Sequence, residues 1–377
     1  MKILLAPDSF KGSLSAVEVC RIAAAALRES IKDVTVQAIP VADGGEGTVD
    51  SFVFAIGAER REAVVTGPRG LKVCAAYAVA GDTAIIEMAQ ASGLPLMLGQ
   101  PNAKKATTLG TGELIKKAAA DGCRKLVIGI GGSATTDGGL GCLSALGVRF
   151  TDEAGQPVSP DGEGLAQVAH IDVSGLDPAV KQCEITVLCD VTNPLFGPNG
   201  AAAVYGPQKG ADPETVAFLD DALRHYAAVV RDVLGVDAAD EPGAGAAGGL
   251  GYALKVFLNA EMKSGAQAVL DLCGFDEKAK DADWVITGEG KFDRQSLMGK
   301  LMGGVSARAS AAGVPLIAIV GTIADGTGEL YTHGLAAVFQ TNRAGLPFSE
   351  IPPRAASDYE ATLRDVIRLI KSAERFN

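Results

Sequence analysis

The stretch that decides the fold is KLVIGIGGSATTDGGLG, residues 125–141, in which an apolar segment runs directly into a cluster of glycines. Its first part, KLVIGIG, predicts a buried strand. The glycines behind it let the backbone take positive φ and come close to another group. A phosphate is the usual group at such a turn, but it is not the only one, so the rest of the chain has to decide.

The turn also matches a dinucleotide-binding pattern. Gly129-x-Gly131-x-x-Ala134 has the required spacing, and Asp152 and Glu153 follow about 20 residues on, where a ribose-binding acid would lie. Against that match, the helix predicted after the turn is short and carries three glycines. We therefore favour a nest of backbone N–H groups that holds a phosphate. A dinucleotide site and a purely structural turn are the alternatives.

The first fifty residues alternate strand and helix. MKILLAP and DVTVQAIPV predict strands, and SAVEVCRIAAAALRES predicts a helix whose capping box pairs Ser15 with Glu18. From about Arg61, short runs split by glycine turns predict an antiparallel meander. Near Asp281 the alternation of strands and helices returns. Such alternation is typical of a parallel sheet covered by helices.

We therefore expect an α/β protein of two domains. A doubly wound, Rossmann-like parallel-sheet domain would be interrupted by a large inserted α/β domain. The expected boundaries are residues 1–70 and 283–377 for the first domain and 71–282 for the second. Inside the insertion, YALKVFLNAEMKSGAQAVL, residues 252–270, predicts a single helix.

Composition excludes some partners. The net charge is −11 and no basic block is present, so nucleic acid is not an expected partner, whereas a small anion needs only a few local donors. No run approaches the ~18–20 apolar residues of a membrane span. The first residues turn polar too quickly for a signal peptide. We expect a cytoplasmic protein that does not bind membranes.

Polar residues that directly follow strands are the best site candidates, because ligands of open parallel sheets bind outside the carboxyl ends of the strands. Five segments qualify: Asp8, Ser9 and Lys11; Asp43 and Glu46; Ser133, Thr135, Thr136 and Asp137; Asp190, Thr192 and Asn193; Glu289, Lys291 and Asp293. Caps of the following turns are the structural alternative for Asp8 and Asp190.

The chemistry of these segments favours phosphoryl transfer. No Walker A lysine and no Ser/His/Asp or Cys/His triad can be found. Many carboxylates, a few lysines and many glycines remain, and that set suits a reaction in which the protein positions groups and stabilises charge. Lys209 in GPQKG is, taken alone, more typical of a surface turn. Gly243-x-Gly245-x-x-Gly248 follows no strand, which leaves an anion-binding loop and a linker as alternatives.

Nine segments in order along nearly the whole chain resemble the type I family of bacterial glycerate kinases. They are APDSFKGSLSA, PVADGGEGT, IEMAQASGL, GTGELI, GIGGSATTDGG, CDVTNPL, GPQKGA, PGAGAAGGLG and ITGEGKFDRQS. The resemblance implies an ATP- and Mg²⁺-dependent kinase that phosphorylates D-glycerate at the 2-hydroxyl to give 2-phosphoglycerate. The 3-phosphate is the alternative product. The resemblance also implies an active site in the cleft between two α/β domains.

Within that expectation, we assign roles by chemistry. Asp190, with help from Asp43, would bind Mg²⁺ or deprotonate the glycerate hydroxyl, and Lys11 and Lys209 would neutralise the glycerate carboxylate or the moving phosphoryl group. The nucleotide phosphates would be held by the turn residues Gly131, Gly132, Ser133, Ala134 and Thr135. The other expected substrate-binding residues are Asp8, Ser9, Glu289, Lys291 and Asp293.

Two other classes of protein stay open at this stage. The fingerprint match would suit an NAD-dependent hydroxyacid dehydrogenase, but such an enzyme often uses a His base, and none follows a site strand. A nucleotide-sensing module without activity is the third class. The oligomeric state is also open, with a homodimer among the alternatives.

Overall fold

The structure is a computed structural model that describes residues 1–293, 296, 301–324, 331 and 334–373. Arg294 and Gln295, the end of one segment quoted above, lie outside the described residues. The chain forms two compact units. The terminal unit comprises Met1–Ala42, Asp50–Gly57 and Ala266–Asn377, and the central unit comprises Asp43–Val49 and Ala58–Gly265.

The strands of the described residues are, in chain order, β1 (Lys2–Pro7), β2 (Thr35–Ala38), β3 (Glu59–Thr66), β4 (Lys72–Ala80), β5 (Thr83–Glu87), β6 (Lys125–Gly129), β7 (Arg149–Thr151), β8 (His170–Asp172), β9 (Glu184–Leu188), β10 (Glu261–Lys263), β11 (Trp284–Gly288), β12 (Lys291–Phe292), β13 (Leu316–Val320), β14 (Thr322–Ile323) and β15 (Leu335–Gln340).

The α-helices of the same residues are α1 (Ala16–Ser30), α2 (Thr48–Ile56), α3 (Ala89–Ser92), α4 (Leu109–Ala120), α5 (Leu140–Ala145), α6 (Pro178–Lys181), α7 (Ala201–Tyr205), α8 (Pro213–Leu234), α9 (Leu250–Leu258), α10 (Gly265–Leu272), α11 (Phe275–Lys280), α12 (Leu301–Ala311) and α13 (Ala355–Ala373).

The terminal unit contains a five-stranded sheet in the order β15-β13-β11-β1-β2. All of its neighbouring strands pair in parallel, which confirms the predicted parallel sheet. Alternate residues such as Ile3 and Leu5 point to one face, where they join a buried cluster with α1 and α13. The predicted capping box of α1 is also confirmed, since Ser15 and Glu18 each bond the other's backbone N–H.

The central unit contains a six-stranded mixed sheet in the order β10-β9-β6-β5-β4-β3. Strands β3, β4 and β5 pair antiparallel, which confirms the predicted meander. Strands β5, β6, β9 and β10 pair in parallel. The strand predicted from KLVIGIG is β6, which lies buried between β5 and β9. The α/β fold class is thus confirmed.

The single helix predicted over residues 252–270 is wrong. Helix α9 ends at Leu258, where Asn259 takes a left-handed conformation with φ of 53°. The chain then forms β10, which pairs in parallel with the edge of β9, before α10 begins at Gly265. Asparagine tolerates this conformation better than most residues, so it can end a helix where no glycine is present. The break brings Gly265 to the end of β9.

The boundaries between the two compact units differ from the domain boundaries expected from the sequence. Residues 43–49, 58–70 and 266–282 fall in the other unit from the one that the sequence indicated. The second of these segments contains β3, which pairs along its length with β4 of the central sheet. The domain limits, the interdomain cleft, the cytoplasmic location and the homodimer alternative all stay predictions. None of the described helices has the length and apolar character needed to cross a membrane.

Candidate active site

The loop after β2 crosses the carboxyl ends of β6 and β9 in the central unit. A Cβ atom on Gly44 would lie 2.8 Å from Cβ of Leu188, and one on Gly129 would overlap the carbonyl oxygen of Gly44. A Cβ on Gly131 would lie 2.7 Å from Cα of Gly45. The glycines that match the dinucleotide pattern are therefore required because another glycine loop packs directly against them.

Two of the five predicted phosphate-binding amides are already used inside the protein. The N–H of Gly131 donates to the carbonyl oxygen of Gly44 at 3.0 Å, and that of Ala134 donates to Ser92 at 2.9 Å. Each amide has one hydrogen to donate, so these two residues cannot also hold a phosphate through their N–H groups. That part of the prediction is wrong.

The accessible part of the turn is Gly132 and Ser133. Gly132 is exposed and has φ of 73°, and Ser133 is half-buried, whereas Thr135 is fully buried. The hydroxyl of Thr135 faces the carbonyl oxygen of Ala247 at 3.5 Å. Within the part of the chain that the structure describes, the amides of Gly132 and Ser133 have no hydrogen-bond acceptor. These two consecutive N–H groups form the donor set available to an anion.

Lys209 lies beneath this turn rather than on the surface. It ends a 3₁₀ turn, Pro207–Lys209, and is only 1% exposed, so the alternative of a surface turn is wrong. Its Nζ donates to Oγ of Ser133 at 2.8 Å and to the carbonyl oxygen of Thr135 at 2.6 Å. Burial lowers the pKa of Lys209 to about 7, and the negative charge of Asp137 partly opposes that effect.

Asp137 fixes the far side of the turn. Its carboxylate is fully buried and accepts four hydrogen bonds: two from the N–H and hydroxyl of Thr108, both at 2.7 Å, and two from the amides of Gly139 and Gly141, at 3.1 and 3.3 Å. Burial raises the pKa of Asp137, and the four donors oppose that rise. Asp137 therefore ties the turn to the start of α4.

The second glycine loop, which contains Gly245 and Gly248, is not a linker. Its centre is also not exposed, as the centre of an anion-binding loop would be. Gly248 has φ of 68°, and a Cβ there would overlap the carbonyl oxygen of Thr135. The N–H of Gly138 donates to Gly248 at 2.9 Å. This loop is packed against the turn after β6, and its glycine composition follows from that close backbone approach.

Asp190 and Asp43 meet around one residue, Gly265. The N–H of Gly265 donates to Oδ1 of Asp190 at 3.1 Å. A Cβ on Gly265 would overlap the carbonyl oxygen of Asp43, whose own Oδ1 accepts from the N–H of Gly45 at 2.9 Å. Because Gly45 also packs on Gly131, the two carboxylates and the glycine turn after β6 belong to one part of the central unit.

These carboxylates fit the requirements of a magnesium site. Within the described ranges, no group of three or more His, Cys, Asp or Glu side chains is arranged to hold a metal ion. Mg²⁺ in phosphate-handling enzymes is usually bound by one or two carboxylates together with phosphates and water. Both Asp43 and Asp190 are exposed, so their hard oxygen atoms can reach such an ion.

In the terminal unit, the candidates of two strands lie side by side. Pro7 at the end of β1 is in register with Gly288 at the end of β11, and the N–H of Asp8 donates to Gly288 at 2.8 Å. A Cβ on Gly290 would lie 3.5 Å from the amide nitrogen of Lys11. The remaining candidates follow in these two loops: Ser9, Glu289, Lys291 and Asp293. Lys291 pairs with Asp293 at 3.5 Å, and both Lys11 and Lys291 are exposed.

Two buried carboxylates have positions whose role the sequence does not indicate. Asp137 is among the strand-end candidates, but no pattern in the sequence assigns it a role. Glu87 ends β5 in register with Gly129, is 1% exposed, and accepts from the N–H of Val49 at 3.2 Å. Its position after an apolar strand was the available signal. A carboxylate at a buried strand end usually organises neighbouring loops.

A dinucleotide site needs a helix that starts at the glycine turn and an acid that binds the ribose, and the described residues provide neither. Helix α5 begins only at Leu140 and has six residues, so it does not start at the glycine turn. Asp152 accepts from the amides of Ala154 and Gln156 at 2.9 and 2.8 Å, which makes it the cap of a local turn. Neither feature suits a dinucleotide-binding site.

The structure is an α/β protein whose strand ends carry amides, carboxylates and lysines, the kinds of group that enzymes of phosphoryl transfer use. The model of the glycerate kinase family matches residues 3–371. The chain is 45% identical over 377 residues to the glycerate kinase of Bacillus subtilis (strain 168), covering 99% of each chain. It is 48% identical over 342 residues to the glycerate 2-kinase of Escherichia coli (strain K12), covering 90% of each.

A crystal structure of a candidate glycerate kinase 2 from Salmonella typhimurium LT2 superimposes with a TM-score of 0.88 at 44% identity, covering 100% of this chain and 99% of that one. The chain belongs to the glycerate kinase family, whose members are ATP-dependent phosphotransferases. This confirms the resemblance found in the nine sequence segments.

Proposed function

We propose that this protein transfers the terminal phosphoryl group of ATP to the 2-hydroxyl of D-glycerate, giving 2-phosphoglycerate and ADP. The observation that carries the proposal is the likeness over 90% of both chains to the glycerate 2-kinase of Escherichia coli. The site chemistry supports it, because carboxylates, amide donors and lysines are what phosphoryl transfer requires. Phosphorylation of the 3-hydroxyl is the alternative regiochemistry.

The nucleotide phosphates would bind at Gly132 and Ser133. Two consecutive amides and one hydroxyl there can donate to phosphate oxygens. Gly131, Ala134 and Thr135 would support this donor set through their internal hydrogen bonds rather than contact the phosphate. Of the five turn residues expected from the sequence, two would then contact the nucleotide phosphates.

Asp190 and Asp43 would share two tasks, holding Mg²⁺ and accepting the proton of the glycerate hydroxyl. When bound, the ion supplies positive charge that offsets the charge of the phosphates. A carboxylate that removes the proton must come within about 2.6–3.2 Å of the hydroxyl in the bound state. The N–H of Gly265 donates to Oδ1 of Asp190 and so orients this carboxylate for either task.

The glycerate carboxylate would bind to the strand ends of the terminal unit. Lys11 is the cation proposed for the carboxylate or the moving phosphoryl group, and Lys291 is a second one. Asp8, Ser9, Glu289 and Asp293 would orient these lysines and the hydroxyl groups of glycerate. The exposure of both lysines is compatible with a ligand that arrives from solvent.

Proton-coupled ³¹P NMR of the product made from D-glycerate and Mg-ATP tests this function. A 2-phosphate couples to one proton and gives a doublet, whereas a 3-phosphate couples to two and gives a triplet. We expect a doublet and stoichiometric ADP. A triplet would move the reaction to the 3-hydroxyl, and no new ester signal from either D- or L-glycerate would refute the proposal.

A further inference from the structure

Lys209 has an unusual place for a charged side chain. It is 1% exposed, and the two hydrogen bonds of its Nζ go to neutral acceptors, Oγ of Ser133 and the carbonyl oxygen of Thr135. Placing a charge in such surroundings is costly, and lysines are rarely this buried without a paired carboxylate. Its position therefore needs an explanation beyond packing.

The hydrogen bond to Ser133 has a directional consequence. When Lys209 carries its extra proton, the ammonium group can only donate, so the hydroxyl oxygen of Ser133 then accepts from Lys209. The hydroxyl hydrogen of Ser133 then points away from the lysine. Ser133 is half-buried and adjoins the exposed Gly132, so this hydrogen and the two neighbouring amides are available to the same anion.

We propose that Lys209 is a positioning residue for phosphoryl transfer: in the occupied site its ammonium group fixes the Ser133 hydroxyl as a donor and places a positive charge beneath the turn, without touching the substrate. This proposal rests on the proposed function, since it assigns the turn to nucleotide phosphate. It also replaces the direct substrate contact that the sequence suggested for Lys209.

The charge of Lys209 should depend on whether the turn is occupied. Its pKa of about 7 means that the lysine is largely neutral at pH 8 in the free protein. Asp137, across the turn, is the ionisable group that acts on it within the described residues. A phosphate at Ser133 adds negative charge nearby in a poorly solvated place and favours the ammonium form. Binding should therefore take up a proton.

Calorimetry of Mg-ATP binding at pH 8 in two buffers of different ionisation enthalpy measures this uptake. We expect about half a proton or more per nucleotide for the wild-type protein and close to none for Lys209→Met. Uptake of zero in the wild-type protein would overturn the expected change of charge on binding, and the kinetic test below then decides the positioning role. Lys125→Met is the matched control. Lys125 is exposed and begins β6, the strand whose other end leads into the Ser133 turn.

Steady-state kinetics then separate positioning from direct contact. We expect Lys209→Met to raise the KM for ATP about tenfold or more and to lower kcat less. In a Ser133→Ala background the same change should have a much smaller effect, because Lys209 acts through the hydroxyl. Fully additive effects would overturn the positioning role in favour of direct contact.

The two proposals fail in different ways. A protein that binds Mg-ATP with proton uptake but phosphorylates neither hydroxyl of glycerate refutes the proposed function and leaves this inference intact. A protein that makes phosphoglycerate but in which the effects of Lys209→Met and Ser133→Ala on the KM for ATP are fully additive refutes the inference alone.

Discussion

The backbone N–H of Gly265 donates to Oδ1 of Asp190 at 3.1 Å, at the point where α10 begins beside the end of β9. The same glycine lies so close to the backbone of Asp43 that a side chain would not fit. Asp43 and Asp190 are 147 positions apart in the chain. Gly265, which has no side chain, allows both carboxylates to lie at one place. The spacing of the two acids depends on that contact.

Replacing Gly265 with alanine should therefore damage activity more than stability. The new Cβ would overlap the carbonyl oxygen of Asp43, so the loop that carries Asp43 must shift away from Asp190. We expect kcat/KM for glycerate to fall by at least about tenfold, in line with the sensitivity of catalysis to small displacements. Kinetic assays with D-glycerate and ATP check this.

Gly313→Ala is the matched control for that variant. Gly313 also has a special backbone, with φ of 71°, but a Cβ there meets nothing within 4 Å. It should lose stability of about 1 kcal/mol through strain and keep its kinetic constants. Equal loss of activity in both variants would mean that the effect of Gly265→Ala is general destabilisation.

The strand-end rule indicates the candidate residues, but it cannot predict how their loops pack. Asp43, Asp190 and the Ser133 turn were placed correctly at the carboxyl ends of parallel strands because apolar runs that end in polar residues are visible in the sequence. The role of Gly265 was hidden, since Asn259 breaks a stretch whose pattern otherwise indicates one helix.

Hydrogen-bond partners were equally hidden. Nothing in GPQKG indicates that Lys209 is buried, because its acceptors on Ser133 and Thr135 are more than seventy residues away in the chain. Likewise, the amides of Gly131 and Ala134 are taken up by Gly44 and Ser92, which only the folded loops bring near. Long-range pairing of this kind is set by tertiary structure, not by local propensity.

Asp190→Asn should lower kcat by at least about a hundredfold, the low end of the contribution of a general base. Asparagine keeps an oxygen that can accept from Gly265 but loses the negative charge needed for Mg²⁺ or for the proton. The effect should appear in kcat measured at saturating Mg-ATP and glycerate. Asp152→Asn, which changes a turn cap, is the control and should keep normal kcat. Near-normal turnover of Asp190→Asn would remove Asp190 from the chemistry.

Asp137→Asn should reduce the free energy of unfolding by at least about 2 kcal/mol. The carboxylate accepts from Thr108, Gly139 and Gly141 in a buried place, and the new amide NH₂ would face some of these donors without an acceptor. An unsatisfied buried donor costs about 1–3 kcal/mol. Urea denaturation at neutral pH measures the loss.

The control for this variant is an exposed carboxylate. Asp172→Asn removes a surface ion pair with Arg149 and should leave the free energy of unfolding nearly unchanged. If Asp137→Asn were as mild as Asp172→Asn, the four hydrogen bonds of Asp137 would not hold the turn in place, and its fixed shape would need another source.

The pH dependence of stability should report Lys209 directly. Its pKa is lowered to about 7 in the folded protein from an ordinary value of 10.5. Between these values the unfolded chain keeps a proton on this lysine that the folded protein has lost, so the free energy of unfolding rises with pH across that window. Below about pH 7 both states are protonated, and the cost of burying the charge is present in full.

The Lys209→Met variant has no such group. Urea denaturation of both proteins without ligand, from about pH 6.5 to about pH 9.5, should show the wild-type protein gaining about 1–4 kcal/mol relative to the variant. The Lys125→Met variant keeps Lys209, so the stability of the wild-type protein relative to this variant should not change over the same range. A difference between wild type and Lys209→Met that stays constant over this range would mean that Lys209 remains charged in the free protein, and the proton uptake expected on binding ATP would then be lost as well.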